Sequence, residues 1–462
     1  FEAKWDLNND WIGFHPVPFQ GRGISYYLGV NSGLRHSFVD SNEVRNGQTY
    51  YYAVVAYDHG DSLGIPPSET SKKISSDPIT GVLTFADNTV QVIPGPRASG
   101  YDRPEIIEVT DIVHANGLGN GSVAFNLLND LDMKDDIYTL TFKDTLFKSD
   151  GNILTKNYSV LGEKTTTENF FLYGTKFTSL SKGSIINDAN LQVKDASGTV
   201  YQLGIDYEVN FEKGAIKRSD SSPMIEGIEY SITYKSYAIY QSTALKNEDS
   251  NPVFDGVLLK VNDNQVLAFD SDRSKWSSEL TLPFRLYLRT GGNPKPSPSD
   301  YIVTFSDQPI STAKKFAGGR FIDIPVKYKV EDVTSGIPIE VVTNLQEPPA
   351  TNDSAWTIGE EIVFYVTGSP GGQGQQLTWS LLVLPTADSV QTIPSVNDVL
   401  FLYTKRPFSK DDVFTLQTKA GFVNNQLASS NLDNIYVVPN PYVGANEIEP
   451  ANKLSGQNRG ER

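Results

Sequence analysis

Short runs of alternating or β-branched residues recur along the whole chain, separated by Gly, Pro, Asn, Asp and Ser, and no segment sustains a 3.6-residue apolar period. Alternation places successive side chains on opposite faces of a strand. A chain patterned this way buries its apolar half by stacking sheets, not by packing helices. The clearest run is Tyr50-Tyr51-Tyr52-Ala53-Val54-Val55-Ala56-Tyr57, which follows the turn pair Asn46-Gly47. Further strands are predicted over 137–142, 191–194, 207–211, 230–234, 257–261, 284–288, 301–305, 322–329, 362–366, 377–384 and 413–418. Short helical turns are predicted near 311–316 and 395–399. The expected fold is all-β, with β-sandwiches in tandem.

A length of 462 residues corresponds to about three domains at ~150 residues each. Lys plus Arg number 39 against 55 Asp plus Glu, a net charge of −16, which argues against nucleic acid or an anionic membrane as partner. The chain has no cysteine, which removes disulfides, thiolate metal sites and thiol catalysis together. The longest unbroken apolar stretch is the eight residues Tyr50–Tyr57, short of the ~20 that span a bilayer, so no membrane span is expected. The first residue is Phe1, which predicts a processed product or part of a longer chain, with any signal peptide lying before it.

Two segments repeat. Tyr138, Thr141, Phe142 and Asp144 match Tyr301, Thr304, Phe305 and Asp307, and each set is followed by a Tyr-x-Val strand, at Tyr158 and at Tyr328. A duplicated sandwich is expected, although strands favour such residues in any case. The Pro/Gly-rich run from Ile93 to Tyr101 is the clearest linker. The expected organisation is a module over 1–75, a linker over 76–105 and a sandwich over 106–250 with a β-rich insertion near 169–243. A second copy follows over 251–345, then a further domain or the completion of that copy over 346–430, and a tail over 431–462.

The first 75 residues resemble a fibronectin type III module. The turn at Asn46-Gly47 leads to Tyr50, and Tyr52, Val54 and Ala56 follow on one face. The resemblance implies an immunoglobulin/fibronectin-like sandwich lacking its first strand, with Trp5 in its core. Tyr50 would be the structural corner, its ring buried and its hydroxyl bonded to upstream backbone. The segment Val437-Val438-Pro439-Asn440-Pro441-Tyr442 resembles the opening of the C-terminal sorting domain of type IX secretion substrates from Bacteroidota- and Ignavibacteria-type bacteria. That resemblance implies export and a secreted, cell-surface-associated location.

Candidate chemistry is sparse. His15, His36, His59 and His114 are far apart in sequence and bring no nucleophile motif with them. Gly117-Leu118-Gly119-Asn120-Gly121-Ser122 lacks the spacing and the Lys-Ser/Thr of a phosphate loop, and reads as a flexible turn. Asp130, Asp132, Asp135 and Asp136 crowd one stretch. They are a calcium candidate, weighed against a solvated acidic loop, and no other cofactor is expected. Trp276, Trp356 and Trp379 are a candidate sugar platform, weighed against core packing. The expected function is a non-catalytic structural or adhesive protein of a bacterial surface or extracellular assembly. It would self-associate, as in a filament, or bind other extracellular surface proteins. The alternatives are the ancillary tail of a larger secreted hydrolase and a carbohydrate-binding array with polysaccharide as partner.

Overall fold

The computed structural model describes residues 2–18, 23–35, 37–104, 112–144, 157–277, 279–349, 353–386, 393–396 and 398–432. The fold is all-β: 42% of the chain is strand and 2% helix. The helix among the described residues is Asn425–Leu432. The chain divides into two compact units. The larger comprises Phe1–Asn8, Ser32–Val39 and Glu105–Lys419, and the smaller Asn9–Asn31, Asp40–Pro104 and Ala420–Arg462.

The larger unit contains the repeat. In the first sandwich a five-stranded sheet runs in the order Tyr237–Ser242, Asn157–Gly162, Asp136–Lys143, Val413–Thr418, Ile112–Asn116. It packs on the ribbon of Ser122–Leu127 and Val257–Asn262, around Tyr138, Leu140, Tyr158, Val160, Leu259 and Phe414. In the second sandwich a five-stranded sheet runs Ala268–Trp276, Val399–Lys405, Tyr301–Phe305, Tyr328–Asp332, Ile339–Glu340. Its partner is a six-stranded sheet, ordered Phe284–Leu288, Leu377–Val383, Glu361–Tyr365, Thr343–Gln346, Ser311–Ala317, Arg320–Val326.

The repeated residues occupy matching register. Phe142 pairs with Tyr158 and Leu140 with Val160, as Phe305 pairs with Tyr328 and Val303 with Val330. The strand on the other side also corresponds: Leu140 lies opposite Phe414, and Val303 opposite Leu400.

The sheets do not follow the expected division at residue 250. Val257–Asn262 belongs to the first sandwich, the strands from Thr343 to Lys405 complete the second, and Val413–Thr418 returns to the first. The second sandwich is thus inserted between the last two strands of the first. Closing a longer loop costs little entropy once its two ends are held together. Between Asn157–Gly162 and Tyr237–Ser242, which pair directly, the chain inserts another small sandwich. Its own core includes Phe170, Leu172, Val193, Tyr230, Ile232 and Tyr234.

Two local expectations are corrected. Ser311–Ala317 is a strand, not a helical turn: it pairs with Arg320–Val326 and runs parallel to Thr343–Gln346. Residues 322–329 are not one strand, because Arg320–Val326 and Tyr328–Asp332 lie in opposite sheets with the corner at Lys327.

In the smaller unit every sheet among the described residues is a two-stranded ribbon: Gly13–Phe14 with Tyr27–Gly29, Tyr50–Ala53 with Thr89–Val92, Ile74–Ser76 with Leu83–Phe85, and Tyr101–Asp102 with Phe422–Val423. Three of these strands, Leu83–Phe85, Thr89–Val92 and Tyr101–Asp102, fall in the stretch expected to be linker. Apart from Pro67 and Pro104, Leu28 is its one buried apolar side chain among the described residues. The expected inward face fails after Ala53: Tyr52 is half-buried, but Val54 is 82% exposed and Ala56 is exposed. Trp5 belongs to the larger unit, where it packs edge-on against Phe38 at 5.6 Å.

Candidate functional site

Tyr50 begins its strand, and its half-buried ring directs the hydroxyl upstream. The hydroxyl oxygen accepts from Arg45 N at 2.8 Å and donates to Glu43 O at 3.4 Å, tying the preceding loop to the ribbon. Tyr52 hydroxyl donates to Asp40 Oδ2 at 2.7 Å. Elsewhere in this unit apolar side chains point outward; Leu63 is 94% and Ile79 93% exposed. A ribbon of two strands leaves an unpaired edge on each strand.

Sequence spacing did not bring any histidines together, but the fold does. Trp11 stacks on His59 at 4.6 Å and on His15 at 5.7 Å between ring centroids. His15 is buried and its Nδ1 lies 2.9 Å from Val17 O, while Nε2 has no hydrogen-bond partner. His36 lies outside the described residues.

The acidic run does not converge. Asp136 Oδ1 accepts from the backbone N–H of Ile137, Glu163 and Lys164. Asp132 accepts from Asn129 Nδ2 at 2.7 Å, and Asp130 is buried. Among the described residues no group of three His, Cys, Asp or Glu side chains, Asp135 included, is placed to hold a metal ion. These carboxylates organise the loop that enters Asp136–Lys143.

The glycine-rich run is packed, not flexible. Asn120 Oδ1 accepts from Arg406 N and from Asn264 Nδ2, both at 2.7 Å, and Asn120 Nδ2 donates to Thr404 O at 2.7 Å. A Cβ on Gly121 would fall 2.3 Å from Asn262 O, and one on Gly119 2.5 Å from Phe408. Only glycine permits so close a backbone approach. The loop clasps both connections between the nested sandwiches. Buried Asp412 completes the clasp. It accepts from Gly119 N and contacts His114 Nε2, each at 2.8 Å, and accepts from Ser409 N at 2.7 Å. Asp263 accepts from Phe408 N at 2.7 Å, and burial raises its carboxyl above the usual range. Arg406 Nη1 reaches Asp300 Oδ2 at 2.6 Å.

The three tryptophans are not a sugar platform. Trp276 and Trp379 are core residues of the second sandwich, donating to Leu282 O and Ser297 O, and Trp356 packs on Phe305 at 5.3 Å. The segment Val437–Tyr442 lies outside the described residues. No described helix is long and apolar enough to cross a membrane. Compared with family models, curated proteins and solved structures, the chain matches none of them.

Proposed function

We propose that this chain is a non-catalytic structural and adhesive protein, secreted to a bacterial surface or extracellular assembly. The nested sandwiches act as a stiff spacer, and the smaller unit docks through its strand edges onto further copies of the chain or other extracellular surface proteins. One observation carries the reading. The smaller unit holds its strands as isolated ribbons with Val54, Leu63 and Ile79 facing water. An isolated ribbon is marginal in water. Adding a strand from another chain satisfies its open edge and covers its apolar face. The likeness of Val437–Tyr442 to a sorting-domain opening supports export by type IX secretion.

Sedimentation velocity over a concentration series tests the docking. Species larger than the monomer should grow with concentration in the native chain and disappear in the Val54→Asp/Val90→Asp variant, whose two sites are exposed. A native chain that stays monomeric at every concentration refutes self-association. Deleting the residues after Asn434 from the native precursor should leave it in the periplasm, and normal surface display would refute the sorting role.

A further inference from the structure

A cleft of about 750 Å³ lies on the six-stranded sheet of the second sandwich, and neither docking nor export uses it. One wall is the hairpin of Ser311–Ala317 and Arg320–Val326, turned at Gly318 and Gly319, both with positive φ. Phe316 and Phe321 oppose each other in register, with ring centroids 5.3 Å apart, and Phe316 is 61% exposed. Neither ring belongs to the core of this sandwich. Buried Tyr365 also lines the cleft and joins Val363 and Leu377 in an apolar cluster separate from that core. An exposed aromatic ring paired with a half-buried one beside a formed cleft is a feature that packing of the fold does not require.

The polar lining has a consistent character. Asn344 and Gln375 present planar amides, and Gln375 Oε1 is held by Ser369 Oγ at 3.1 Å. Arg289 Nη1 pairs with Glu361 Oε1 at 2.9 Å, while its Nε is buried with no hydrogen-bond partner. Lys315 Nζ lies 2.5 Å from Glu347 Oε2 and donates to Ser354 Oγ at 2.8 Å. Both cations are therefore already balanced by carboxylates, and the cleft has no surplus positive charge to attract an acidic ligand. A peptide adding as a strand is also disfavoured at this hairpin. Its free edge carries Pro325, which has no N–H to offer.

We infer that this cleft binds a neutral glycan chain. The C–H face of a pyranose ring is apolar and can lie on Phe316 and Phe321, while its hydroxyls can meet the amides of Asn344 and Gln375. The inference rests on the adhesive, extracellular reading above and names the partner that the spacer would grip.

The test is a glycan microarray of neutral and acidic oligosaccharides probed with the full chain, followed by titration calorimetry with the best-bound glycan. Binding should be confined to neutral glycans. Phe316→Ala/Phe321→Ala should weaken it at least tenfold with the melting temperature unchanged. No binding to any neutral glycan, binding only to acidic ones, or equal affinity in the double variant would each overturn the inference. Sedimentation of the same Phe variants separates the two ideas, because self-association should be unaffected by them.

Discussion

The strands Tyr301–Phe305 and Tyr50–Ala53 are built from similar residues and both open on tyrosine, yet they end in different states. In the first, Tyr301, Val303 and Phe305 are buried between two sheets, with neighbours on both edges. In the second, Tyr50 and Tyr52 are half-buried, Tyr51 and Ala53 are exposed, and the one strand neighbour among the described residues is Thr89–Val92. Local sequence made both into strands. What separates them is the number of distant segments that arrive to cover each one. A strand's residue types report that it will pair and pack, but not whether its own chain supplies the partners.

The difference should show most strongly in core substitutions. Trp379 is 1% exposed, and its Nε1 donates to Ser297 O at 2.8 Å. Trp379→Ala should cost about 3–5 kcal/mol of unfolding free energy in the larger unit. Leu63→Ala in the smaller unit should change stability by no more than about 0.5 kcal/mol. Denaturant titration measures both, and a comparable loss at Leu63 would break the contrast.

A smaller effect is expected at the clasp. Asp412→Ala removes the acceptor for Gly119 N and Ser409 N together. Stranding buried donors should cost about 3 kcal/mol, again in the larger unit, by the same titration. In the smaller unit, Tyr50→Phe removes the two backbone bonds of the hydroxyl and should cost about 1 kcal/mol there, leaving the larger unit's transition in place.

The smallest expected effect concerns pH. Asp77, exposed in the smaller unit, is held below the usual carboxylate range, chiefly by the backbone N–H of Thr80. Its contribution is present above the unfolded-state pKa and is lost as pH falls through the lower folded value. Asp263, in the larger unit, is raised by burial, so its sign is opposite. Ionisation in the folded state lags behind, and stability falls as pH rises from the unfolded value through the folded one. Carboxyl chemical shifts followed through acid titration should place the Asp263 midpoint above that of Asp77.

Much of the larger unit was legible in its sequence, because its strands alternate cleanly. Phe284–Leu288, Tyr301–Phe305 and Val413–Thr418 fall where their patterns end. Ser311–Ala317 misled because Ala313, Lys314 and Lys315 suit a helix. Pairing on both sides overrides that preference, and the fold uses Lys315 to meet Glu347. The return of Val413–Thr418 to the first sandwich was not legible, since no local signal records which of two similar sheets a strand joins. The same holds for sites. The glycines at 117, 119 and 121 stood out, but the groups they approach, on Asn262, Phe408 and Asp412, lie far away in sequence. The stacking of Trp11 on His15 and His59 had no sequence spacing to betray it. Phe316 ends the stretch predicted as a helical turn and Phe321 lies just before a predicted strand; only the hairpin brings the two together beside a cleft.

Hydrogen exchange of the full chain, followed by mass spectrometry across a concentration series, addresses the contrast between the two units most directly. Strands of the nested sandwiches, such as Tyr301–Phe305 and Asp136–Lys143, should exchange slowly at every concentration. Tyr50–Ala53 and Thr89–Val92 should exchange fast when dilute and gain protection as concentration rises. Slow exchange of those ribbons in dilute monomer, independent of concentration, would contradict a smaller unit completed by partners.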